Sequence, residues 1–261
     1  MKKLYEATYE FFREVHPAPL WFARAEDCAP HFHHQMEILY VAGGAAAARI
    51  NGEERGLAEG SLCVSDSYDI HSYRMGPDCE AYVVIAPKEY FPEYDTLVKN
   101  KLLDGRFYAG ADAARTVGPL IALMREFWPQ GGELYCKGLA AAVLGWVAET
   151  LPYKKTSENE KIRNVRDILS YIHGHLDGDV GLKSLAKRFG YTPTHFSHLF
   201  NDATGFHLRE FVNTLRAQRA AARLKAGNPV LSVALDCGFE NIRTFYRAFT
   251  KVYGVAPGKY A

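Results

Sequence analysis

The 261-residue sequence predicts an α+β protein of two domains, in which an antiparallel β-barrel with appended helices precedes an all-α domain. Short apolar runs separated by turn residues occupy residues 31–87, a pattern typical of antiparallel strands. Periodic apolar residues from about 113 to 150 indicate a pair of helices, and from Ile162 onward every segment has a helical pattern with short turns. A chain of this length is also better accommodated by two cores than by one.

The charge distribution supports the same division. The formal net charge of the chain is +1, but residues 1–151 carry 14 basic and 21 acidic residues, a net charge of −7. Residues 162–261 carry 14 basic and 7 acidic residues, a net charge of +7. We expect these two ranges to be the domains, with the polar stretch 152–161, which contains Pro152, as the linker. The asymmetry indicates that only the second domain meets a polyanion such as DNA.

Other features of the composition indicate a cytoplasmic protein. The sequence has no run of 18 or more apolar residues, which argues against a transmembrane helix and a membrane partner. The five cysteines are far apart and form no C-x-x-C pair, so we expect reduced thiols. The N-terminal segment MKKLYEATYEFFREV carries acidic residues where a signal peptide would be apolar, and we expect no signal peptide.

Each apolar run of the first domain has the length of one strand. The runs are MEILYVA (36–42), SLCVS (61–65) and AYVVIAP (81–87), with Gly43-Gly44 and Asn51-Gly52 as turns between the first two. Asn-Gly is the strongest short hairpin signal, because both residues tolerate a positive φ. Strands of this length and spacing favour a small barrel or sandwich.

Comparison of the second domain with itself reveals a duplication. LKSLAKRFGY (182–191) aligns with VLSVALDCGF (230–239) at an offset of 48 residues. Beyond this turn the offset becomes 49, so that Phe196, Leu199, Phe200 and Gly205 align with Phe245, Ala248, Phe249 and Gly254. Each copy is therefore a short helix, a turn at a glycine and a second helix, which together make a helix-turn-helix unit.

The second helix of each copy has an apolar face and a polar face. Helical spacing predicts burial of Phe196, Leu199, Phe200 and Ala203 in the first copy and of Phe245, Ala248, Phe249 and Val252 in the second. The opposite faces carry Thr194, Ser197, His198 and Asn201 in the first copy and Arg243, Tyr246, Arg247 and Thr250 in the second. Side chains of these types on a small helix are suited to contacting base edges in a major groove of DNA.

The segment between the copies, residues 207–227, has no proline and no glycine before its end. It predicts one helix of about 20 residues, or about 30 Å at the rise of an α-helix. This length is close to the ~34 Å of one turn of DNA. The second helices of the two copies can therefore enter successive major grooves.

This arrangement resembles the AraC family of bacterial transcription regulators over about 100 residues of the chain. The residues that carry the resemblance are Ile168, Tyr171, Ile172, Leu185, Ala186, Gly190, Phe200, Gly205, Arg216, Ala220, Ala234, Gly238, Phe239, Phe245, Phe249, Gly254, Pro257 and Tyr260. The sequence departs from the family at His198, where arginine is frequent, and at Ala217 and Arg223, where leucine is common. It also has Ala261 after the Pro-x-x-Tyr end, where the family usually continues with arginine. These departures concern which DNA sequence is bound rather than whether DNA is bound.

Position by position, the resemblance implies DNA contacts by residues of both second helices. They are Thr194, Ser197 and His198, joined by Asn201 on the same polar face, and Ile242, Arg243, Thr244, Tyr246 and Arg247. Arg243 and Arg247 are the best candidates for bidentate contacts to guanine, with phosphate contacts as the alternative. Because the first copy has no arginine on this face, we expect the second copy to contribute more base discrimination.

The resemblance also implies partners. Double-stranded DNA would be bound in two successive major grooves, a small-molecule effector would bind in the N-terminal domain, and the protein would form a homodimer, with RNA polymerase as a further candidate partner. The helical pair at about 113–150 would then be the dimerisation element. The alternative is a helical layer that only packs on the β domain.

A second constellation lies in the first domain. His31, His33 and Glu37 precede Gly44, and Gly60 and His71 follow, a spacing that resembles the metal motif of the cupin barrel. Three imidazoles and a carboxylate suit Zn, Fe, Ni or Mn. Asp66 and Tyr68 stand where cupins usually have proline and glycine, so three interpretations stay open: a bound metal, an effector pocket built on the same residues, or histidines that only stabilise the fold. His34 has the opposite parity and is expected to point away.

Two functions follow from these patterns. The first is a transcription regulator, not an enzyme, in which a small molecule in the barrel changes how the DNA-binding units are presented. The second is a metal-dependent cupin oxygenase or isomerase attached to a DNA-binding module. The complete repeat and the charge asymmetry favour the first, and no further acid or base in the sequence indicates catalysis.

Overall fold

The computed structural model describes residues 8–10, 20–98, 101–155 and 165–260, which form two compact units. The first unit contains the described residues up to 155, and the second contains residues 165–260. Tyr153–Lys155, part of the predicted linker, forms a strand of the first unit. The first unit therefore extends beyond the predicted boundary at residue 151, while residues 156–161 of the linker, like most of the N-terminal segment, lie outside the described residues.

The first unit consists of strands followed by helices. The strands are β1 (Thr8–Tyr9), β2 (Trp21–Arg24), β3 (Cys28–Phe32), β4 (Met36–Gly43), β5 (Ala45–Ile50), β6 (Glu53–Ala58), β7 (Leu62–Ser65), β8 (His71–Met75), β9 (Glu80–Ala86), β10 (Lys101–Leu103), β11 (Phe107–Tyr108) and β12 (Tyr153–Lys155). The helices are α1 (Pro92–Val98), α2 (Ala111–Phe127) and α3 (Glu133–Thr150), with 3-10 turns at Lys88–Tyr90 and Trp128–Gln130.

Two five-stranded sheets enclose the core of this unit. Their strand orders are β1-β3-β8-β5-β6 and β11-β7-β4-β9-β2, and every pairing within them is antiparallel except β1 with β3. Side chains from both sheets, including Leu39, Val41, Ile50 and Ile85, form the apolar core between them. The α+β class is confirmed, and the predicted barrel is a domain of two facing sheets, since no pairing of the described strands joins them into a closed barrel.

Glycine-containing turns guide the chain between strands. Asn51-Gly52 has φ values of 49° and 89° and joins β5 to β6, which confirms the predicted hairpin. Gly44 instead carries the chain from β4 in one sheet to β5 in the other. Its φ is +70°, and a Cβ there would lie 2.7 Å from the carbonyl oxygen of Asp78, so only glycine fits.

The predicted helical pair is α2 and α3, and it packs against the face of the second sheet that points away from the inter-sheet core. Val117, Ile121 and Met124 of α2 and Val143 and Val147 of α3 are buried there. The exposed side of α3 contains Leu134, which is 85% exposed. Packing of this pair is thereby established, and its role in dimerisation stays a prediction.

The second unit is all-α, as predicted. Its helices are α4 (Val165–Gly174), α5 (Leu182–Phe189), α6 (Pro193–Thr204), α7 (Leu208–Lys225), α8 (Val230–Asp236) and α9 (Ile242–Tyr253), followed by a 3-10 turn at Pro257–Lys259. The duplication is visible in this order, since α5–α6 and α8–α9 are the two copies. Helices α6 and α9 both have 12 residues and end at Gly205 and Gly254, with φ values of 73° and 72°.

The connecting helix α7 packs against both helix-turn-helix copies. It has 18 residues, or about 27 Å. Its Phe211 ring lies 5.3 Å from the Phe200 ring of the first copy, and its C-terminal half packs against Phe245 and Phe249 of the second. Arg216 of α7 donates from Nε to the carbonyl oxygen of Leu176 (2.7 Å) and from Nη2 to that of Gly178 (2.9 Å).

Candidate functional site

Three histidines and one glutamate converge inside the first unit. His31 on β3 and the first residue of β8, His71, are register partners in one sheet, His33 follows β3, and Glu37 lies on β4 of the facing sheet. One ligand atom from each of the four residues lies within 4.8 Å of the others. The residues are 5%, 1%, 2% and 2% exposed in the order His31, His33, Glu37 and His71. The structure therefore brings together the four residues that the sequence motif indicated.

Backbone carbonyl groups orient all three imidazoles. Nδ1 of His31 is 2.9 Å from the oxygen of Ala29, Nδ1 of His33 is 2.9 Å from that of Gln35, and Nδ1 of His71 is 2.8 Å from that of Asp69. A carbonyl oxygen can only accept a hydrogen bond, so each Nδ1 carries the proton. A ring with its proton on Nδ1 directs Nε2 into the cluster, the arrangement found for histidines that bind metals.

Acceptor atoms therefore face one another at the centre of the cluster. Nε2 of His33 lies 3.1 Å from Oε2 of Glu37, and Nε2 of His71 lies 3.5 Å from the same oxygen. Among the described residues, Nε2 of His31 and Nε2 of His71 are buried without a hydrogen-bond partner. Either a proton or a cation must lie between these atoms to make the arrangement favourable.

The ionisation of the cluster follows from burial and from its own charges. Burial, with a smaller effect of His71, lowers the pKa of His31 to about 4, so this ring is neutral near pH 7. Burial alone would raise the pKa of Glu37, but the imidazoles of His33 and His71 beside its carboxylate outweigh burial and hold that pKa well below its usual value. Burial likewise opposes protonation of His71, yet the neighbouring Glu37 carboxylate raises its pKa. A carboxylate therefore persists in the cluster.

The segment before His71 is fixed by an acidic residue. The buried carboxylate of Asp69 accepts hydrogen bonds from Asn51 Nδ2 (2.7 Å), Arg106 Nε (2.8 Å) and the backbone nitrogen of Asp66 (2.9 Å). Tyr68 has a φ of +62°, the left-handed conformation that glycine favours, and its nitrogen donates to the carbonyl oxygen of His33 (2.8 Å). The departures from the cupin pattern at Asp66 and Tyr68 thus leave His31, His33, Glu37 and His71 in place.

Two further polar groups near the cluster were not apparent from the motif. The hydroxyl groups of Tyr73 and Ser65 are buried next to His71 and Glu37, respectively. Burial, and next the charge of Glu37, raise the pKa of Tyr73 well above its usual value, so its hydroxyl stays protonated. His34, as expected, lies outside the cluster; it is half-buried, with its ring 5.5 Å from that of Tyr68.

The predicted DNA-contacting residues lie on the accessible faces of α6 and α9. Thr194, His198, Ile242, Arg243, Tyr246 and Arg247 are exposed, and Ser197, Asn201 and Thr244 are half-buried. The rings of Phe196, Phe200, Phe245 and Phe249 are fully buried on the opposite faces. Sequence reasoning missed the N-caps: Thr192 Oγ1 accepts from the nitrogen of His195 (3.3 Å) and Asn241 Oδ1 from that of Thr244 (2.8 Å).

The arginines of α9 differ from other cations of the second unit. Lys251 pairs with Glu210, Arg223 pairs with Asp236 and Arg219 lies near Asp177. Within the described residues, Arg243 and Arg247 form no such ion pair. Their guanidinium groups are therefore available to an external anion or base edge.

Comparisons with known proteins agree with this division into sites. A family model described as an AraC-like ligand binding domain matches residues 21–108, and one described as a helix-turn-helix domain matches residues 185–261. The right origin-binding protein of Escherichia coli K12 is 33% identical over 97 residues, which are 37% of this chain and 34% of that protein. The multiple antibiotic resistance protein MarA of Salmonella typhimurium is 31% identical over 97 residues, 37% of this chain and 76% of that protein.

Among solved structures, fatty acid-bound ToxT of Vibrio cholerae is 12% identical and covers 93% of both chains, with a TM-score of 0.39. Of the two sequence relatives named above, the chain spans about a third of the length of the right origin-binding protein and about three quarters of the length of MarA. The fold and the two family models together define a helix-turn-helix protein that also has an AraC-like ligand binding domain. The chain belongs to the AraC family of transcriptional regulators. No helix in the described residues has both the length and the apolarity needed to cross a bilayer.

Proposed function

We propose that this protein is a sequence-specific DNA-binding transcription regulator whose affinity for DNA is controlled by an effector bound in the first unit. One observation carries the DNA-binding part: α6 and α9 present polar, accessible faces from the two ends of a helix of about 27 Å. This separation suits two successive major grooves of one DNA duplex. A cytoplasmic homodimer that contacts RNA polymerase is the assembly we expect from the family.

The two helices are proposed to contribute differently. Arg243 and Arg247 are accessible and free of ion pairs among the described residues, so they can donate two hydrogen bonds each to guanine. Ile242, Thr244 and Tyr246 complete the contact face of α9. Thr194, Ser197, His198 and Asn201 of α6 would fix the position of the protein on the duplex. Selection of bound DNA from a random pool by the full-length protein tests this proposal, and it fails if no sequence is enriched.

Replacement of Arg247 by alanine should weaken binding to the selected DNA by roughly ten- to a hundredfold, because one bidentate base contact contributes about 1–3 kcal/mol. Random DNA should be bound almost as before, since a base contact adds nothing there. Gel-shift titrations with both DNAs measure the two effects. Arg55→Ala, which removes an exposed arginine paired with Glu53 in the first unit, is the control. Equal losses on both DNAs would assign Arg247 to a phosphate instead.

The affinity should also fall steeply with salt. Basic side chains displace counterions from the DNA, so about six phosphate contacts would lower the affinity about 10³-fold between about 50 and about 200 mM salt. Fluorescence anisotropy over a salt series gives the slope. An affinity that does not change with salt would contradict the proposed use of the basic second unit.

For the effector site, we infer that His31, His33, Glu37 and His71 hold a divalent cation, Zn, Fe, Ni or Mn. Four acceptor atoms converge within 4.8 Å, and two of them, Nε2 of His31 and of His71, are buried without a partner among the described residues. These observations favour a cation over an effector held by hydrogen bonds alone and over purely structural histidines. When bound, the cation would offer open coordination positions to an effector. Membership of a family of regulators favours sensing over enzymatic turnover at this site.

A further inference from the structure

We propose that Glu10 is a fifth protein ligand of the divalent cation at the cluster of His31, His33, Glu37 and His71. Its carboxylate would close the side of the cluster that is accessible to solvent, and the ion would attach the short strand β1 to the first unit. This inference rests on the cation binding proposed above and adds a ligand that lies outside the sequence motif.

Strand pairing places Glu10 beside the cluster. Strand β1 is parallel to β3, with Thr8 opposite His31 and Tyr9 opposite Phe32. Glu10 follows β1 directly, and its backbone nitrogen donates to the carbonyl oxygen of Phe32 (2.9 Å). Because Glu10 is two residues after Thr8, its side chain points to the same side of the sheet as that of His31. Oε2 of Glu10 accordingly lies 3.9 Å from Nε2 of His31.

This separation fits two ligands of one ion. Histidine nitrogens and carboxylate oxygens bind an ion such as Zn²⁺ at about 2.0–2.2 Å, so two ligand atoms of one ion lie at most about 4.2 Å apart. Oε2 of Glu37 lies 3.1 Å from Nε2 of His33 and 3.5 Å from Nε2 of His71. The 3.9 Å between Glu10 and His31 is within the same limit, although it is too long for a hydrogen bond.

The two facing atoms of Glu10 and His31 are both acceptors. Nδ1 of His31 carries the proton toward the carbonyl oxygen of Ala29, so Nε2 has only a lone pair to offer. That Nε2 atom is buried without a hydrogen-bond partner among the described residues, and the carboxylate oxygen of Glu10 faces it. A cation that contacts both atoms makes this arrangement favourable.

The charge and the exposure of the cluster point to the same role. A divalent cation with three neutral imidazoles and one carboxylate would leave a net positive charge in a buried position, which is unfavourable. The carboxylate of Glu10 cancels this charge. Its side chain is 34% exposed, whereas those of His31, His33, Glu37 and His71 are at most 6% exposed. Glu10 therefore lies on the solvent side of the cluster, and five protein ligands would leave one position of an octahedral ion for an effector.

The test uses the full-length protein with Co²⁺ as the probe. Metal content after dialysis gives the stoichiometry, titration against a competing chelator gives the affinity, and the visible absorption spectrum reports the ligands of the bound ion. Glu10→Gln keeps the size of the side chain and removes its charge. We expect it to weaken Co²⁺ binding about tenfold or more and to change the spectrum. One Co²⁺ per chain should still bind at saturation, because four ligands remain.

A second measurement follows the backbone of β1. In the wild type, Co²⁺ should slow amide hydrogen exchange in a peptide that covers residues 8–10, since the ion would hold the strand next to the hydrogen bond between Glu10 and Phe32. The Glu10→Gln variant should show no such slowing at saturating Co²⁺.

Glu26→Gln is the matched control. It removes the same charge from an exposed side chain between β2 and β3, and it should bind Co²⁺ with the affinity and the spectrum of the wild type. Wild-type binding by Glu10→Gln would overturn the fifth ligand and leave the four-residue site intact. Weaker binding with an unchanged spectrum would show that Glu10 acts only through its charge, and would also overturn the fifth ligand. Absence of Co²⁺ binding in the wild type would overturn both proposals.

Discussion

Replacing His71 with alanine should abolish stoichiometric binding of a divalent cation. The wild-type protein is expected to bind about one cation per chain, whereas the variant should bind at least about a hundredfold more weakly, since even loss of a group that only orients a ligand costs about 10–100-fold. His71 contributes one of the two buried, unpartnered Nε2 atoms and lies 3.5 Å from Glu37. Metal analysis after dialysis and titration with Zn²⁺ or Co²⁺ measure the effect.

His34→Ala provides the control, because His34 neighbours His33 in sequence but lies outside the cluster. It should keep the cation. Wild-type protein with no stoichiometric cation, or a His71→Ala variant that binds as well as wild type, would contradict the metal assignment. Cation binding should also weaken as the pH falls, because the raised pKa of His71 makes a proton compete for the same nitrogen.

The His71 variant also tests control of DNA binding. If the cation or its ligand biases the protein toward one DNA-binding state, the affinity for selected DNA must differ between loaded and stripped wild-type protein. The His71→Ala variant should match the stripped protein whether or not cation is added. Identical DNA affinities of loaded wild type, stripped wild type and His71→Ala would show that the metal site does not regulate DNA binding.

Replacing Gly238 with alanine should destabilise the second unit by about 3 kcal/mol or more. Gly238 has a φ of +84°, which costs an alanine about 1 kcal/mol. The added Cβ would also lie 2.4 Å from the carbonyl oxygen of Leu176 and 2.9 Å from Nε of Arg216. Arg216 would then have to leave its carbonyl partners, and each lost hydrogen bond to a charged group adds about 1.5–3 kcal/mol.

Gly254→Ala separates the two contributions. Gly254 has a φ of +72° at the end of α9, but a Cβ there would meet nothing within 4 Å. This variant should lose only about 1 kcal/mol. Denaturant unfolding followed by helical circular dichroism compares the variants. Equal losses would show that backbone conformation, not the contact with Arg216, makes glycine necessary at position 238.

The sequence predicted the elements that local chemistry determines. The duplication is present, and so are the glycine turn of each copy, with φ of 72° at Gly190 and 84° at Gly238, and the Asn51-Gly52 hairpin. The turns were predictable because glycine and asparagine have few competitors at positive φ. The four-residue cluster was also predictable, because the spacing of His31, His33, Glu37 and His71 resembles the cupin motif. The residues of the polar faces of α6 and α9 were predictable from helical periodicity.

Other features depend on tertiary pairing that periodicity does not encode. Strands β10, β11 and β12 have only two or three residues, too few to show alternation, and β12 lies in a segment whose polarity predicted a linker. The separation into two sheets depends on which strands pair across the core. Tyr68 takes a left-handed conformation that its side chain disfavours, because Asp69 and the carbonyl group of His33 fix the segment. The Ser65 and Tyr73 hydroxyls were overlooked because only the register of β7 with β4 places Ser65 beside Glu37.

The hydrogen bonds of Arg216 have a consequence for the arrangement of the DNA sites that the protein can bind. They join the segment that contains Leu176 and Gly178, before α5, to the middle of α7. The turn at Gly238 packs against the same guanidinium group. Helices α6 and α9, the two proposed contact helices, are therefore held in a fixed orientation relative to each other and are not joined by a flexible connection. DNA turns once in about 10–10.5 base pairs, so about five extra base pairs between the half-sites would rotate one of them to the far side of the duplex. If α6 and α9 bind DNA as proposed, the affinity should depend on the spacing of the half-sites around the duplex as well as on their sequence.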